Sequence, residues 1–140
     1  MAEVWRLKAE ALVDITPTDT LIEAGTLTSC DEVDNSTTPW AGAWFEIVFA
    51  VAGSSGDYYH IFMKTAPDGT NYNDANATQR QSRQVASVVR LSGGVSQRAV
   101  FHVPNLPASK FTLVIGGNAS YNQSVTTVNM VRYTRELVAA

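Results

Sequence analysis

Few of the 140 residues are of types that do chemistry, and their spacing narrows the choices further. His60 and His102 each sit inside an apolar run that reads as a strand. Either could serve as a general base or a metal ligand, but two imidazoles on unrelated strands form no site by sequence alone. The bland reading is a strand histidine with one ring nitrogen hydrogen-bonded and one face packed. Cys30 is the single cysteine, so no intrachain disulfide exists. Asp31 and Glu32 beside it disfavour the thiolate, which argues against a nucleophile. Asp31, Glu32 and Asp34 could offer oxygens to Ca²⁺, as could Asp68, Asn71, Asn73 and Asp74, yet neither stretch has the ligand order of an EF-hand loop. No Gly-x-Ser-x-Gly elbow, zinc spacing or phosphate-cradling glycine loop is present. Glu46 falls on the strand face opposite Phe45 and Ile47, towards solvent or a neighbouring chain. The residues therefore point to no enzyme, no cofactor and no metal centre.

Aromatic side chains remain. Trp5, Trp40, Trp44, Tyr58, Tyr59, Tyr72, Tyr121 and Tyr133 can act as sugar-stacking platforms or interface anchors. Trp44 and one of Tyr58 and Tyr59 are expected in the core. Trp5 and Trp40, near polar or terminal segments, are the better contact candidates, together with Arg6, Tyr72, Arg80 and Arg83. The net charge is −3, and the ten basic residues are dispersed singly. That distribution supplies no phosphate-binding footprint, so nucleic acid is not expected as a partner. Charged residues make up 16% of the chain and hydrophobic residues 45%, enough apolar mass for a core without disulfides or metal.

The elements that must position these residues are strands. Trp44–Val51 and Tyr58–Thr65 are aromatic and β-branched, separated by Gly53-Ser54-Ser55-Gly56-Asp57. They read as a hairpin, and Pro67-Asp68-Gly69 then supplies turn chemistry. Residues 4–15 fit a helix through Val4, Leu7, Ala11 and Ile15, and a strand through the alternation of Trp5, Leu7, Ala9 and Ala11. The all-β surroundings favour a strand, with residues 1–16 an N-terminal arm or edge strand. Thr20–Thr28 reads as one strand bulged at Gly25, and Asp31–Pro39 as an acidic loop. Asn73–Gln84, without a large apolar group, reads as a long mobile loop and a contact candidate. Val85–Leu91, Gln97–Val103, Lys110–Ile115 and a Thr/Val run from Tyr121 complete about eight strands. The corner from Pro104 to Pro107 suggests a crossing between sheets. The expected class is all-β, an antiparallel sandwich or jelly roll with little helix, as one domain over residues 1–140.

No basic and apolar leader is visible at the N-terminus, and no apolar run approaches the length of a membrane span. Four Asn-x-Ser/Thr triplets, at Asn35, Asn76, Asn118 and Asn122, read as by-products of composition. The expected chain is soluble and made in a cytoplasm.

With its single cysteine, Thr/Asn-rich composition and the segment Lys64–Tyr72 (KTAPDGTNY) after an aromatic strand, the chain resembles small virion proteins of tailed bacteriophages. The head decoration, or cement, proteins are the nearest in style. An Asp-Gly turn before an aromatic also occurs in discoidin-like glycan-binding domains. The decoration resemblance implies a non-enzymatic protein that sits in the virion as a homotrimer and clamps subunits of the major capsid protein. A tail or baseplate component, or a carbohydrate-binding β-sandwich, is the alternative.

Overall fold

The computed structural model describes residues 2–23, 25–50, 58–68, 70, 83–90, 97–116 and 123–139. Among them run eleven strands: β1 (Glu3–Ala9), β2 (Val13–Asp14), β3 (Leu21–Ile22), β4 (Leu27–Ser29), β5 (Val33–Asp34), β6 (Gly42–Phe49), β7 (Tyr58–Ala66), β8 (Arg83–Arg90), β9 (Gln97–Val103), β10 (Lys110–Gly116) and β11 (Gln123–Ala139). The described residues include no helix. One sheet has the order β1-β11-β6-β9, with β2 and β3 also on β11. The other has the order β4-β10-β7-β8, with β5 on β10. Every pairing is antiparallel.

When β2 and β3 are taken as continuations of β1, and β5 of β4, eight runs remain. Their order is 1-8-3-6 in one sheet and 2-7-4-5 in the other. This is the jelly-roll arrangement, in which the chain repeatedly crosses between facing sheets. The expected class therefore holds. The eight expected strands become eleven because β2 and β5 are separate two-residue pairings and Thr20–Thr28 divides in two. Gly25 adopts a left-handed φ of 73°, which bends the chain rather than bulging a strand. β3 then stays on the first sheet while β4 joins the second. The acidic segment after Cys30, expected as a loop, contains β5. There Val33 turns into the core and Asp34 accepts hydrogen bonds from the Ser36 backbone and hydroxyl.

A second correction concerns Trp44–Thr65. The two strands exist, but β6 belongs to the first sheet and β7 to the second, so they do not pair. A Gly/Ser connection suits a hairpin and a sheet-to-sheet crossing equally. What decides is the apolar face on each strand. Phe45, Ile47 and Phe49 meet Tyr59, Ile61 and Met63 across the core rather than side by side. The Phe49 and Tyr59 rings lie 5.3 Å apart. The segment Pro104–Ser109 does carry the chain from β9 in the first sheet to β10 in the second, as the proline corner suggests. Residues 53–57 and most of the Asn73–Gln84 loop lie outside the described residues. Arg83 and Gln84 already belong to β8.

Alternation explains why Trp44 is not in the core, contrary to expectation. With Phe45, Ile47 and Phe49 facing inward, Trp44, Glu46 and Val48 must face outward. Trp44 is 50% exposed, whereas Tyr59 is buried as expected.

One polar group is built into the end of the sandwich. Asn35 is 1% exposed. Its amide donates to the carbonyls of Trp40 (3.1 Å) and Pro107 (2.8 Å), and its side-chain oxygen accepts from the Trp40 amide at 3.0 Å. Burial at that depth removes it as a glycan acceptor. The Asn35→Ala substitution leaves those three backbone groups without a partner. It is expected to lower the unfolding free energy by about 3 kcal/mol, each orphaned group costing roughly 1 kcal/mol or more. Urea unfolding followed by tryptophan fluorescence measures this, and a change below about 1 kcal/mol would refute it.

Candidate interaction surface

β11 is seventeen residues long, and only part of it lies in the sandwich. Its pairing with β6 ends at Tyr133 opposite Gly42. Beyond that point Thr134–Ala139 pairs with Glu3–Lys8 of β1 alone. The result is a two-stranded ribbon projecting roughly 20 Å from the sheet. All seven residues of β1 are exposed. The arm and edge-strand readings of the N-terminus therefore coincide.

Strand alternation sorts the ribbon's side chains. Trp5, Leu7, Arg135 and Leu137 share one face, and Val4, Arg6, Lys8, Thr134, Glu136 and Val138 share the other. The first of these faces continues onto the outer surface of the first sheet. There Tyr133, Val131 and Asn129 of β11 lie opposite Gly42, Trp44 and Glu46 of β6, and His102 and Val100 of β9 lie opposite Trp44 and Glu46 on the other side. Trp5 is 69% exposed, and Leu7, Leu12, Trp44, Val100 and Leu137 are also exposed. On the second sheet the outward-facing Phe62, Thr112 and Val114 are buried instead. Scattered apolar residues on a surface are ordinary, but a run of them along one face marks a contact surface.

An aromatic cluster stands where the ribbon leaves the sheet. The His102 imidazole stacks on the Trp44 indole, with centroids 4.4 Å apart and planes within 15°. Its Nε2 is 2.5 Å from the Tyr133 hydroxyl. Tyr133 can lie flat there because Gly42 opposite has no Cβ; an added methyl would overlap the phenol ring. An open cleft of about 690 Å³ follows, bounded by Trp5, Ala41, His102, Pro104, Tyr133 and Arg135. The imidazole is thus packed on one face by the indole and hydrogen-bonded through one ring nitrogen to the phenol. The bland reading of His102 is therefore the geometry observed.

The root of the ribbon is held by Arg132. Its guanidinium makes a two-pronged ion pair with Glu10, Nε to Oε1 at 2.7 Å and NH2 to Oε2 at 2.9 Å. The side chains are only 15% and 12% exposed. Its remaining nitrogen donates to the Asp34 carbonyl at 3.1 Å and to Asn35 Oδ1 at 3.3 Å. The guanidinium also lies 5.9 Å from the centre of the Trp40 ring.

The residues picked from sequence are dispersed. Trp5 stands on the ribbon's apolar face. Arg6 is on the opposite face, bound to Glu136 at 2.6 Å. Trp40 is half-buried under Arg132 and forms part of the framework. Arg83 opens β8, where only the backbone is described, and Tyr72 and Arg80 lie outside the described residues. Trp44 and Tyr133 are in the wider group of aromatic candidates, Trp44 with an expected core position, while nothing in the sequence singles out Val100 or Leu137. The signal for Trp44 was its phase in β6.

Other candidate chemistry separates in space. His60 is on β7 and His102 on β9, in different sheets. Among the described residues no three His, Cys, Asp or Glu side chains converge. Glu32 faces Lys110 at 3.8 Å, and Asp68 accepts from the Thr70 amide. Hydrogen bonds from Ser36 hold the Asp34 carboxyl below its ordinary value. Burial, aided by Asp31, pushes the Cys30 thiol up to about 12. The expected direction is right, but burial leads the neighbouring charge as the cause.

No protein-family model matches this chain, and no curated protein sequence does. Among solved structures, a viral chain shares its fold. A chain in the structure of infectious bursal disease virus, Gx strain, aligns with a TM-score of 0.56 at 13% identity, over 92% of this chain and 32% of that one. The present chain thus spans about a third of that viral chain. A bacteriophage CBA120 tailspike protein 4 domain aligns at 0.38 and 9% identity, over 94% and 19% of the two chains. A CBM4 structure aligns at 0.39 and 10% identity, over 92% and 94%. The viral likeness establishes a common fold and nothing finer.

Two outcomes follow from the geometry. Gly42→Ala is expected to displace the Tyr133 ring and cost about 1–2 kcal/mol in urea unfolding, with loss of the His102–Tyr133 hydrogen bond by imidazole NMR. An unchanged imidazole signal would refute that placement. At pH 8 the raised Cys30 pKa leaves a thiolate fraction about a thousandfold below that of an ordinary cysteine. Reaction with a disulfide reagent should therefore wait on unfolding, and rapid labelling of the native chain would contradict its burial.

Proposed function

We propose that this chain is a non-enzymatic structural component of a virus particle, of the decoration type. In this reading it binds subunits of the major capsid protein as an assembled oligomer. The observation that carries the proposal is the exposed apolar surface running from Trp5, Leu7 and Leu137 on the ribbon to Trp44 and Val100 on the sheet. A surface of this kind gains strength from many repeated weak contacts and needs no deep pocket. The jelly roll shared with a chain of a virus structure supports the reading, as does the resemblance to small phage virion proteins. A place in the tail or baseplate is the nearest variant.

One observation favours a second reading, carbohydrate binding. Trp44 is half exposed on the outer face of the first sheet, with His102 stacked on one side of its indole. In that case the platform is Trp44, since Trp40 is held under Arg132.

Peptide mass spectrometry of gradient-purified particles, from cells that produce this chain, separates the readings. The expected result is this chain in fixed ratio to the major shell protein, with no signal on a glycan array. Its absence from particles while abundant in the lysate would overturn the proposal. Glycan binding abolished by Trp44→Ala would establish the second reading.

A further inference from the structure

We infer that β1 joins two copies of this chain, pairing antiparallel with the same strand of a second copy about a two-fold axis at Trp5. This rests on the reading of the chain as an assembly component and names the contact. β1 is paired with β11 along one edge, and among the described residues no strand lies on its other edge. Protein sheets ordinarily blunt such edges with proline, bulges, very short strands or charged side chains. β1 has no proline and no bulge; its charges are Glu3, Lys8 and Arg6, the last bound to Glu136, and its seven residues keep an unbroken register from Glu3 opposite Ala139 to Ala9 opposite Tyr133. It also exposes Val4, Trp5 and Leu7.

Charge selects both the occupant and the register. Residues opposite one another in an antiparallel pair share a face, so a two-fold axis must centre on a residue. Centred at Leu7, the pairing sets Arg6 against Lys8; centred at Arg6 or Lys8, it sets a cation against its own copy. Like charges directly opposite are destabilising. Centred at Val4, it engages only three residues of the strand. At Trp5 the pairing engages Glu3 to Leu7, and no like charges meet. The two indoles face each other as an aromatic cross-strand pair, Leu7 meets Glu3, and the Arg6 stem covers Val4 of the other copy. Each Arg6 keeps its own Glu136 at 2.6 Å. The strand is thus self-complementary at one register, and the sheet runs on from β1 of one copy into β1 of the next.

Light scattering on the eluting full chain is expected to give the mass of two chains. Trp5→Lys places two ammonium groups at the axis and should raise the dissociation constant about tenfold or more, with an unchanged dichroism spectrum. Trp5→Cys, treated with oxidised glutathione, should form a disulfide-linked pair on a non-reducing gel. Val100→Cys, on β9 at the far edge of the same sheet, should stay single. A single-chain mass for the wild type, a mass of three chains, or equal cross-linking of the two cysteine variants would overturn the inference. Any of these could occur while the chain is still found in particles, so the contact can fail and the broader reading survive.

Discussion

The ion pair of Arg132 with Glu10 is the constraint on which the rest of the molecule depends. β11 runs through the sandwich and out of it, and Arg132 sits just before the point of exit, at Tyr133. Two charge-assisted hydrogen bonds to Glu10 tie the segment after β1 to β11 where the sheet ends. The contacts to the Asp34 carbonyl and to Asn35 extend the tie to β5, and Asn35 carries it to Trp40 and Pro107. Glu10, Asp34, Asn35 and Trp40 therefore meet at the Arg132 guanidinium, and Pro107 joins them through Asn35. A nearly buried charge is tolerable only when its donors are satisfied, and here they are. The ribbon inherits its root position from this network.

The two sheets have different outer surfaces. The second sheet buries Phe62 and Val114 on its outward side, while the first exposes Trp44 and Val100 and continues into the ribbon. Lone apolar residues on a surface need no account, but Trp5, Leu7, Leu137, Trp44 and Val100 share one face through the registers of β1, β11, β6 and β9. The Tyr133–His102–Trp44 stack joins the ribbon half of that face to the sheet half.

Much of the fold was legible in the residues. Phe45, Ile47 and Phe49 alternate with polar or outward positions, and that period alone makes β6 a half-buried strand. The same alternation placed Glu46 outward, where it meets Arg98 at 3.3 Å. It also had the information to place Trp44, whose size suggested core while its phase did not. Which sheet a strand joins was not legible between β6 and β7, because a Gly/Ser connection suits a hairpin and a crossing alike. The Arg132 network was invisible for another reason. Glu10, Asn35, Trp40 and Arg132 carry no shared motif and are assembled only by the tertiary fold. Trp5 was legible as a contact candidate because it stands among the charged residues Glu3, Arg6 and Lys8.

Hydrogen–deuterium exchange of the β1 amides at two protein concentrations tests the central claim most directly: that the ribbon is an ordered element through which the chain assembles. The account predicts slow exchange across Val4–Lys8 that slows further as concentration rises, while the core strands β6 and β10 are unaffected. Exchange of those β1 amides at the rate of an unstructured peptide, at every concentration, would contradict it.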